Sequence, residues 1–177
     1  MPESGDVLQE LLSVSLCVGA VTLHSGRTST VYLDKYRFQV RPALLRRVAA
    51  QMAEHIPQGT QRLAGVELGA VPLVTATSLH TGIPFVIVRK GAKDYATAKL
   101  IEGEPLDGAV VTLLEDVLTT GKAALDAAAK IVEAGGQLAR IVAVLDRGDG
   151  CARLCAAGYR AEALFTVSER ELEEAAQ

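Results

Sequence analysis

The residues of this chain best suited to chemistry stand together between Val110 and Ala123, in the run VVTLLEDVLTTGKA. Two adjacent carboxylates, Glu115 and Asp116, close an apolar stretch. Val117 and Leu118 lead from them to Thr119, Thr120 and Gly121, and Lys122 and Ala123 begin a helical pattern. A strand stopping at the acid pair, a loop over Leu118–Gly121 and a helix from Lys122 would make a sugar-phosphate site. The helix N-terminus carries unpaired N–H groups and a partial positive charge, both suited to a phosphate. Two threonine hydroxyls add donors, and the carboxylates can accept from the hydroxyls of a ribose. A nucleotide P-loop is excluded, because Asp116 stands where its first glycine belongs and Ala123 where its Ser or Thr belongs. No G-x-G-x-x-G fingerprint is present. The plainer alternative is a helix cap beside a solvated acidic turn.

A second cluster is basic: Arg89, Lys90, Lys93 and Lys99, with Gly91 among them, follow the apolar run Phe85–Val88. At the end of a buried strand these cations repel one another unless an anion is near, and a diphosphate is a natural occupant. The plainer alternative is a solvated loop. Arg147 follows a third apolar run, Ile141–Leu145, and offers a planar fork able to grip a carboxylate or imide edge in two places. Arg147-Gly148-Asp149 also spells an adhesion tripeptide, a coincidence in a chain read as cytoplasmic. His24, His55 and His80 are scattered, and no Ser–His–Asp or His-x-x-x-His arrangement supports a hydrolase or zinc enzyme. Cys151 and Cys155 lie one helical turn apart without a second ligand pair, so ordinary thiols are the reading.

These groups need a frame. At 177 residues, 49% hydrophobic and 22% charged, the chain reads as one domain over residues 1–177 with a sizeable core. The longest uninterrupted apolar run has no more residues than Ile141–Leu145, far short of the roughly 20 that a membrane helix needs. The N-terminus lacks the basic start and apolar core of a secretory signal, which points to the cytoplasm. A net charge of −3 asks for no nucleic acid. Apolar runs ending near Leu68, Val88, Leu114, Leu145 and Thr166 recur at β–loop–α spacing, and several are apolar at consecutive positions, as strands buried on both faces are. The spacing predicts helices from Pro42 to Ile56 (Leu45, Val48, Ala49 and Met52 inward), Val71 to Leu79, and Lys122 to Ala134 (Ala124, Leu125, Ala128, Ile131 and Val132 in one stripe) before Gly135–Gly136. A last helix is capped by Ser168, with Glu171 completing a capping box. Val21–Leu23 and Val31–Leu33 read as two strands of a flap over the carboxyl ends of a parallel sheet, where open α/β sheets bind ligands.

The acid pair and Thr-Thr-Gly loop resemble the phosphoribosyl diphosphate motif of the type I phosphoribosyltransferases. Ser25-Gly26-Arg27-x-Ser29 with Tyr32, Arg89-Lys90-x-x-Lys93-Asp94-Tyr95 with Glu102-Gly103, and Asp146-Arg147 are similar, in order, to segments of the orotate phosphoribosyltransferase family. The resemblance implies an α/β fold: a Rossmann-like parallel core with helices on both faces and a small N-terminal hood from roughly residues 1–40. It implies transfer of ribose 5-phosphate from 5-phosphoribosyl 1-diphosphate to orotate, giving orotidine 5′-monophosphate and diphosphate in UMP synthesis. Thr119 to Ala123 (with Thr120, Gly121 and Lys122 between them) would then cradle the 5-phosphate, and Val117 and Leu118 would join them as substrate-binding residues. Glu115 and Asp116 would hold the ribose hydroxyls, and Asp116 would steady the cationic ring. Lys93, with Arg89, Lys90 and Tyr95, would close over the diphosphate, which makes Lys93 and Asp116 the catalytic candidates. Arg147, Thr119 and the backbone at Tyr32–Leu33 would seat orotate. Mg²⁺ is implied as a cofactor held mainly through substrate, and a homodimer with shared sites is implied as the assembly.

The chain departs from common members at His24 and at Leu68-Gly69-Ala70, where a Lys is frequent, and at Glu115, where Asp is commoner. Tyr95 stands where many have His, and Ala96 and Ala98 where Gly is frequent. Two rival readings are the same fold acting on a purine, and a non-enzymatic regulator that only senses the ligand.

Overall fold

The computed structural model describes residues 4–22, 28–91 and 100–176. Helix α1 (Ser4–Ser15) leads into the antiparallel strands β1 (Leu16–Thr22) and β2 (Thr28–Leu33), then α2 (Lys35–Gln39) and α3 (Pro42–Glu54). The remainder alternates: β3 (Arg62–Val66), α4 (Val71–Thr81), β4 (Phe85–Val88), β5 (Ile101–Glu102), β6 (Val110–Leu118), α5 (Lys122–Glu133), β7 (Gln137–Asp146), α6 (Gly150–Ala156), β8 (Ala161–Thr166) and α7 (Glu169–Ala175).

The main sheet has the order β5-β4-β3-β6-β7-β8. All its pairings are parallel except β5, a two-residue antiparallel edge strand. The order turns in one direction after β3 and in the other after β6. The crevice between the carboxyl ends of β3 and β6 is therefore the switch point where such sheets bind ligands.

Helices cover both faces, and β6 shows how its pleat serves them. Val111 and Leu113 face α5 and α6, packing with Ala124, Ala127, Ile131 and Leu154. Leu114 faces the other way, into the layer of Leu11, Phe38, Leu44, Met52 and Leu73 from α1 to α4. Val31 and Leu33 of β2 pack with Leu145, Val167 and Leu172, which seats the hairpin at the carboxyl end of β7. The capping box forms as expected, with Ser168 and Glu171 bonding reciprocally.

Several expectations are corrected. The strand carrying the acid pair does not stop there but continues to Leu118, because each carboxylate finds its own environment within the strand. β3 ends at Val66, ahead of the expected Leu68, and α3 ends at Glu54. Its inward row includes Leu44, fully buried, while Leu45 is only partly covered. Val132, placed on the apolar stripe of α5, is 55% exposed, and Ala127 takes its place. Helices α1, α2 and α6 and strand β5 were not anticipated. In α1, Val7 and Leu11 are four apart and both buried, a periodicity too short to stand out beside the flap. Among the described residues, no helix is long and apolar enough to cross a membrane.

Candidate active site

The β6–α5 connection builds the first part of the site. Gly121 is the N-cap of α5 with φ +73°, a left-handed conformation that favours glycine. A Cβ there would also press on Gly150 O at 3.1 Å and Leu154 Cγ at 3.2 Å. Among the described residues, no side chain caps this helix and no acid sits in its first turn. Its leading N–H groups lack intrahelical partners and open onto a cavity of about 440 Å³. Val117, Leu118, Thr119, Thr120, Gly121, Lys122 and Ala123 all line that cavity, together with Glu115 and Lys90. Glu115 and the stretch from Val117 to Ala123 thus form one wall of one pocket, while Asp116 is not among the residues that line it.

The two carboxylates part company. Neighbouring strand residues point to opposite faces, so Glu115 looks toward α5 and the cavity while Asp116 looks toward α2. Glu115 is buried and its Oε1 has no hydrogen-bond partner among the described residues. Burial, and then the charge of Asp116, push its pKa up to about 8, against the pull of Lys35 and Lys90. Asp116 is saturated instead. Its Oδ2 lies 2.8 Å from Lys35 Nζ, and its Oδ1 accepts from Lys35 Nζ at 3.2 Å and from the Val117 N–H at 2.6 Å. Lys35 was absent from the sequence expectations, and no motif marks it. The one available signal was that a buried Asp needs a counter-ion.

The root of the basic loop is clamped. Lys130 Nζ donates to the carbonyls of Arg89 (2.7 Å) and Lys90 (2.9 Å), and the Lys90 N–H donates to Glu67 Oε1 (2.7 Å). The Arg89 N–H donates to Leu100 O at 2.9 Å, which closes the base of the loop. The Arg89 guanidinium is engaged by Glu102 at 3.2 Å and Glu67 at 3.9 Å. Lys90 alone of the pair lines the cavity. Glu67 and Lys130 are further residues that motif reading missed. Lys93 and Tyr95 lie outside the described residues, as do His24, Ser25, Gly26 and Arg27.

Arg147 occupies a separate position. Its N–H bonds Leu118 O at 2.9 Å, tying the end of β7 to the end of β6. Its side chain does not line the 440 Å³ cavity. Burial lowers the guanidinium pKa from its ordinary value, while Glu169 and Tyr32 work in the other direction. Its Nε is buried without a partner among the described residues. Tyr32 is 40% exposed and Leu33 is core. The turn that carries Arg147 is held by the buried Asp146 carboxylate, which accepts from the N–H groups of Gly148 (3.1 Å), Gly150 (3.2 Å) and Cys151 (2.8 Å). Burial and that carboxylate push the Cys151 thiol up to about 12, so it stays protonated and inert.

No family model matches the chain. It is 47% identical over 132 residues to an orotate phosphoribosyltransferase of Methanocella arvoryzae, covering 75% of each chain. It is 42% identical over 165 residues to that of Natronomonas pharaonis, covering 93% of each. Among solved structures, it is similar to orotate phosphoribosyltransferase of Mycobacterium tuberculosis H37Rv in complex with 5-phospho-alpha-D-ribosyl 1-diphosphate. There the TM-score is 0.78 at 28% identity, over 97% of this chain and 99% of that one.

Proposed function

This chain belongs to the orotate phosphoribosyltransferase family, and from that premise we infer how its own residues divide the work of the reaction. The protein transfers ribose 5-phosphate from 5-phosphoribosyl 1-diphosphate to orotate in pyrimidine biosynthesis, yielding orotidine 5′-monophosphate and diphosphate. One observation carries the assignment of the site. The uncapped N-terminus of α5 and the unpartnered Glu115 oxygen open onto the same cavity at the sheet's switch point.

The reaction needs no protein nucleophile. As the C1′–O bond stretches, positive charge grows on the ribose ring and negative charge on the departing diphosphate. The protein's task is alignment and charge stabilisation. Thr119 to Ala123 hold the 5-phosphate, Glu115 and Asp116 accept from the ribose hydroxyls, and Asp116 steadies the ring. Lys90 and Lys93, with Tyr95 and Arg89, attend the diphosphate. Arg147, with Thr119 and the backbone at Tyr32–Leu33, seats orotate.

Magnesium fits these residues as an ion carried by substrate. Among the described residues, no three His, Cys, Asp or Glu side chains converge to hold an ion. A buried, unpartnered hard oxygen at the cavity is Glu115 Oε1, suited to a water of a hydrated ion, and magnesium keeps several waters and phosphate oxygens. When bound it supplies positive charge against the diphosphate. We place the protein in the cytoplasm, where its three free cysteines stay reduced. Its assembly is a homodimer in which the basic loop of one subunit serves the site of the other.

The test is a base competition. With Mg²⁺ and 5-phosphoribosyl 1-diphosphate, orotate is consumed while uracil, adenine and hypoxanthine are not. Turnover of a purine without turnover of orotate overturns the assignment. Donor binding with no turnover of any base would mark a ligand sensor.

The clamp on the loop root yields a further expectation. Lys130→Met leaves the carbonyls of Arg89 and Lys90 without their charged donor, a loss of about 1.5–3 kcal/mol for such bonds. The KM for the ribosyl diphosphate should rise several-fold through misplacement of Lys90, with the KM for orotate unchanged. Steady-state kinetics with each substrate varied in turn checks this, and equal effects on both would remove Lys130 from the donor side.

A further inference from the structure

The Lys35–Asp116 pair has features that a purely structural ion pair would not need. Lys35 opens α2, whose position is fixed on both sides. The Asp34 side chain caps the helix by accepting from the Tyr36 N–H at 3.0 Å, the Asp34 N–H donates to Ser15 O at 2.8 Å, and Phe38 is buried in the core. The anchored backbone sends the Lys35 side chain to the carboxyl end of β6. There Asp116 is 2% exposed, but Lys35 remains 35% exposed. The loop after β3 closes over the pair. A Cβ on Gly69 would overlap Asp116 Oδ2 and stand 2.6 Å from Lys35 Nζ, so the loop lies directly against both ends of the pair. The ammonium therefore sits in the switch-point crevice, between the end of β6 and the loop that follows β3. Burial lowers its pKa, but the Asp116 charge and hydrogen bond more than offset this, and the group stays an ammonium.

At the carboxyl end of β6 the two acids part: Glu115 lines the cavity at the α5 N-terminus, while Asp116 and Lys35 lie together against Gly69 in the loop after β3. A ribosyl diphosphate carries ring hydroxyls next to an anionic substituent at C1′, as this end of the strand carries a carboxylate next to an ammonium. The Asp116 oxygens are already engaged. Lys35 reaches both of them, the Val117 N–H takes Oδ1, and Gln39 Nε2 lies 3.5 Å from Oδ2. A ribose hydroxyl competes with these donors for Asp116, and the one on a long, flexible, partly exposed stem is Lys35.

We propose that Lys35 is a donor-binding residue: its ammonium leaves Asp116 to the ribose hydroxyls and moves to the diphosphate oxygens of the same ligand. Every charge stays partnered through the exchange. Asp116 trades an ammonium for hydroxyl donors, and the ammonium trades one carboxylate for the oxyanions. The cost of stranding a buried carboxylate is avoided. The inference rests on the phosphoribosyl-transfer reading and adds to it a cation from the hood segment.

The experiment compares two ligands by calorimetry, 5-phosphoribosyl 1-diphosphate and ribose 5-phosphate, on wild type, Lys35→Met and Lys35→Gln. Lys35→Gln keeps a neutral donor beside Asp116, so a folded variant is available should the methionine fail. Both substitutions are expected to weaken the diphosphate ligand about tenfold, the scale of one charge-assisted hydrogen bond. Ribose 5-phosphate, which has the hydroxyls but no diphosphate, should bind as tightly as before or more tightly, since Asp116 is released. Lys35→Arg should retain part of the diphosphate affinity. Equal weakening of both ligands would make Lys35 a structural counter-ion, and an unchanged diphosphate affinity would leave it outside the site; either overturns the proposal. Failure of the wild type to bind the diphosphate ligand would instead overturn the functional reading beneath it.

Discussion

Lys93→Ala is expected to lower kcat about a hundredfold, the loss of roughly 3 kcal/mol typical of one charge-stabilising donor, while orotate affinity changes little. The diphosphate gains negative charge as its bond to C1′ breaks, so a cation acting on it is worth more in the transition state than in the ground state. The segment bearing Lys93 leaves β4 at a root held by Lys130, Glu67 and the Arg89–Leu100 hydrogen bond, beside a cavity already lined by Lys90. If the loop serves the neighbouring subunit, mixing Lys93→Ala with Glu115→Ala chains should restore about a quarter of wild-type activity. Half of randomly paired dimers are then hybrids, each holding one intact site. Single-turnover kinetics measures the first effect and subunit mixing the second. An unchanged kcat would make the segment a solvated surface.

The second large effect belongs to Arg147. Arg147→Ala should raise the KM for orotate tenfold or more, roughly the 1.5–3 kcal/mol of a charged hydrogen bond, with donor binding intact. The guanidinium is half-buried, and its Nε has no partner among the described residues. Burial works against its charge, a cost that an anionic ligand would relieve. Its position depends on Asp146, which gathers three N–H groups of the following turn. Arg147→Lys should recover little, because a point charge does not reproduce a bidentate fork. Calorimetry with each ligand separately decides the matter. A variant that kept orotate and lost the donor would move Arg147 to the other half of the site.

Much of this was legible in the residues themselves. The consecutive apolar runs of β4, β6 and β7 announced buried parallel strands, and the stripe on α5 and the Ser168–Glu171 box announced helices. These signals are local: a few residues along the chain state their own period, cap or turn. The cavity wall was legible for the same reason, since Thr119 to Ala123 line it from one contiguous stretch, with Gly121 making the tight turn. What was misread was also local evidence, taken at face value. Two charged residues looked like the end of a strand, yet β6 runs through them to Leu118.

Only the tertiary structure decided what each acid faces and what holds the cations. Strand pleat sends Glu115 to the cavity and Asp116 to α2, and the sequence could not say which face would be wet. Lys35 and Asp116 are 81 residues apart, and Lys130 reaches carbonyls 40 and 41 residues away. No spacing rule links such positions, because their pairing follows from how helices and loops dock on the sheet. The make-up of the cavity wall was therefore written in adjacent residue types. The electrostatics of the acid pair, by contrast, came from side chains that only folding brings together, where burial forces each charge to find a partner or wait for a ligand.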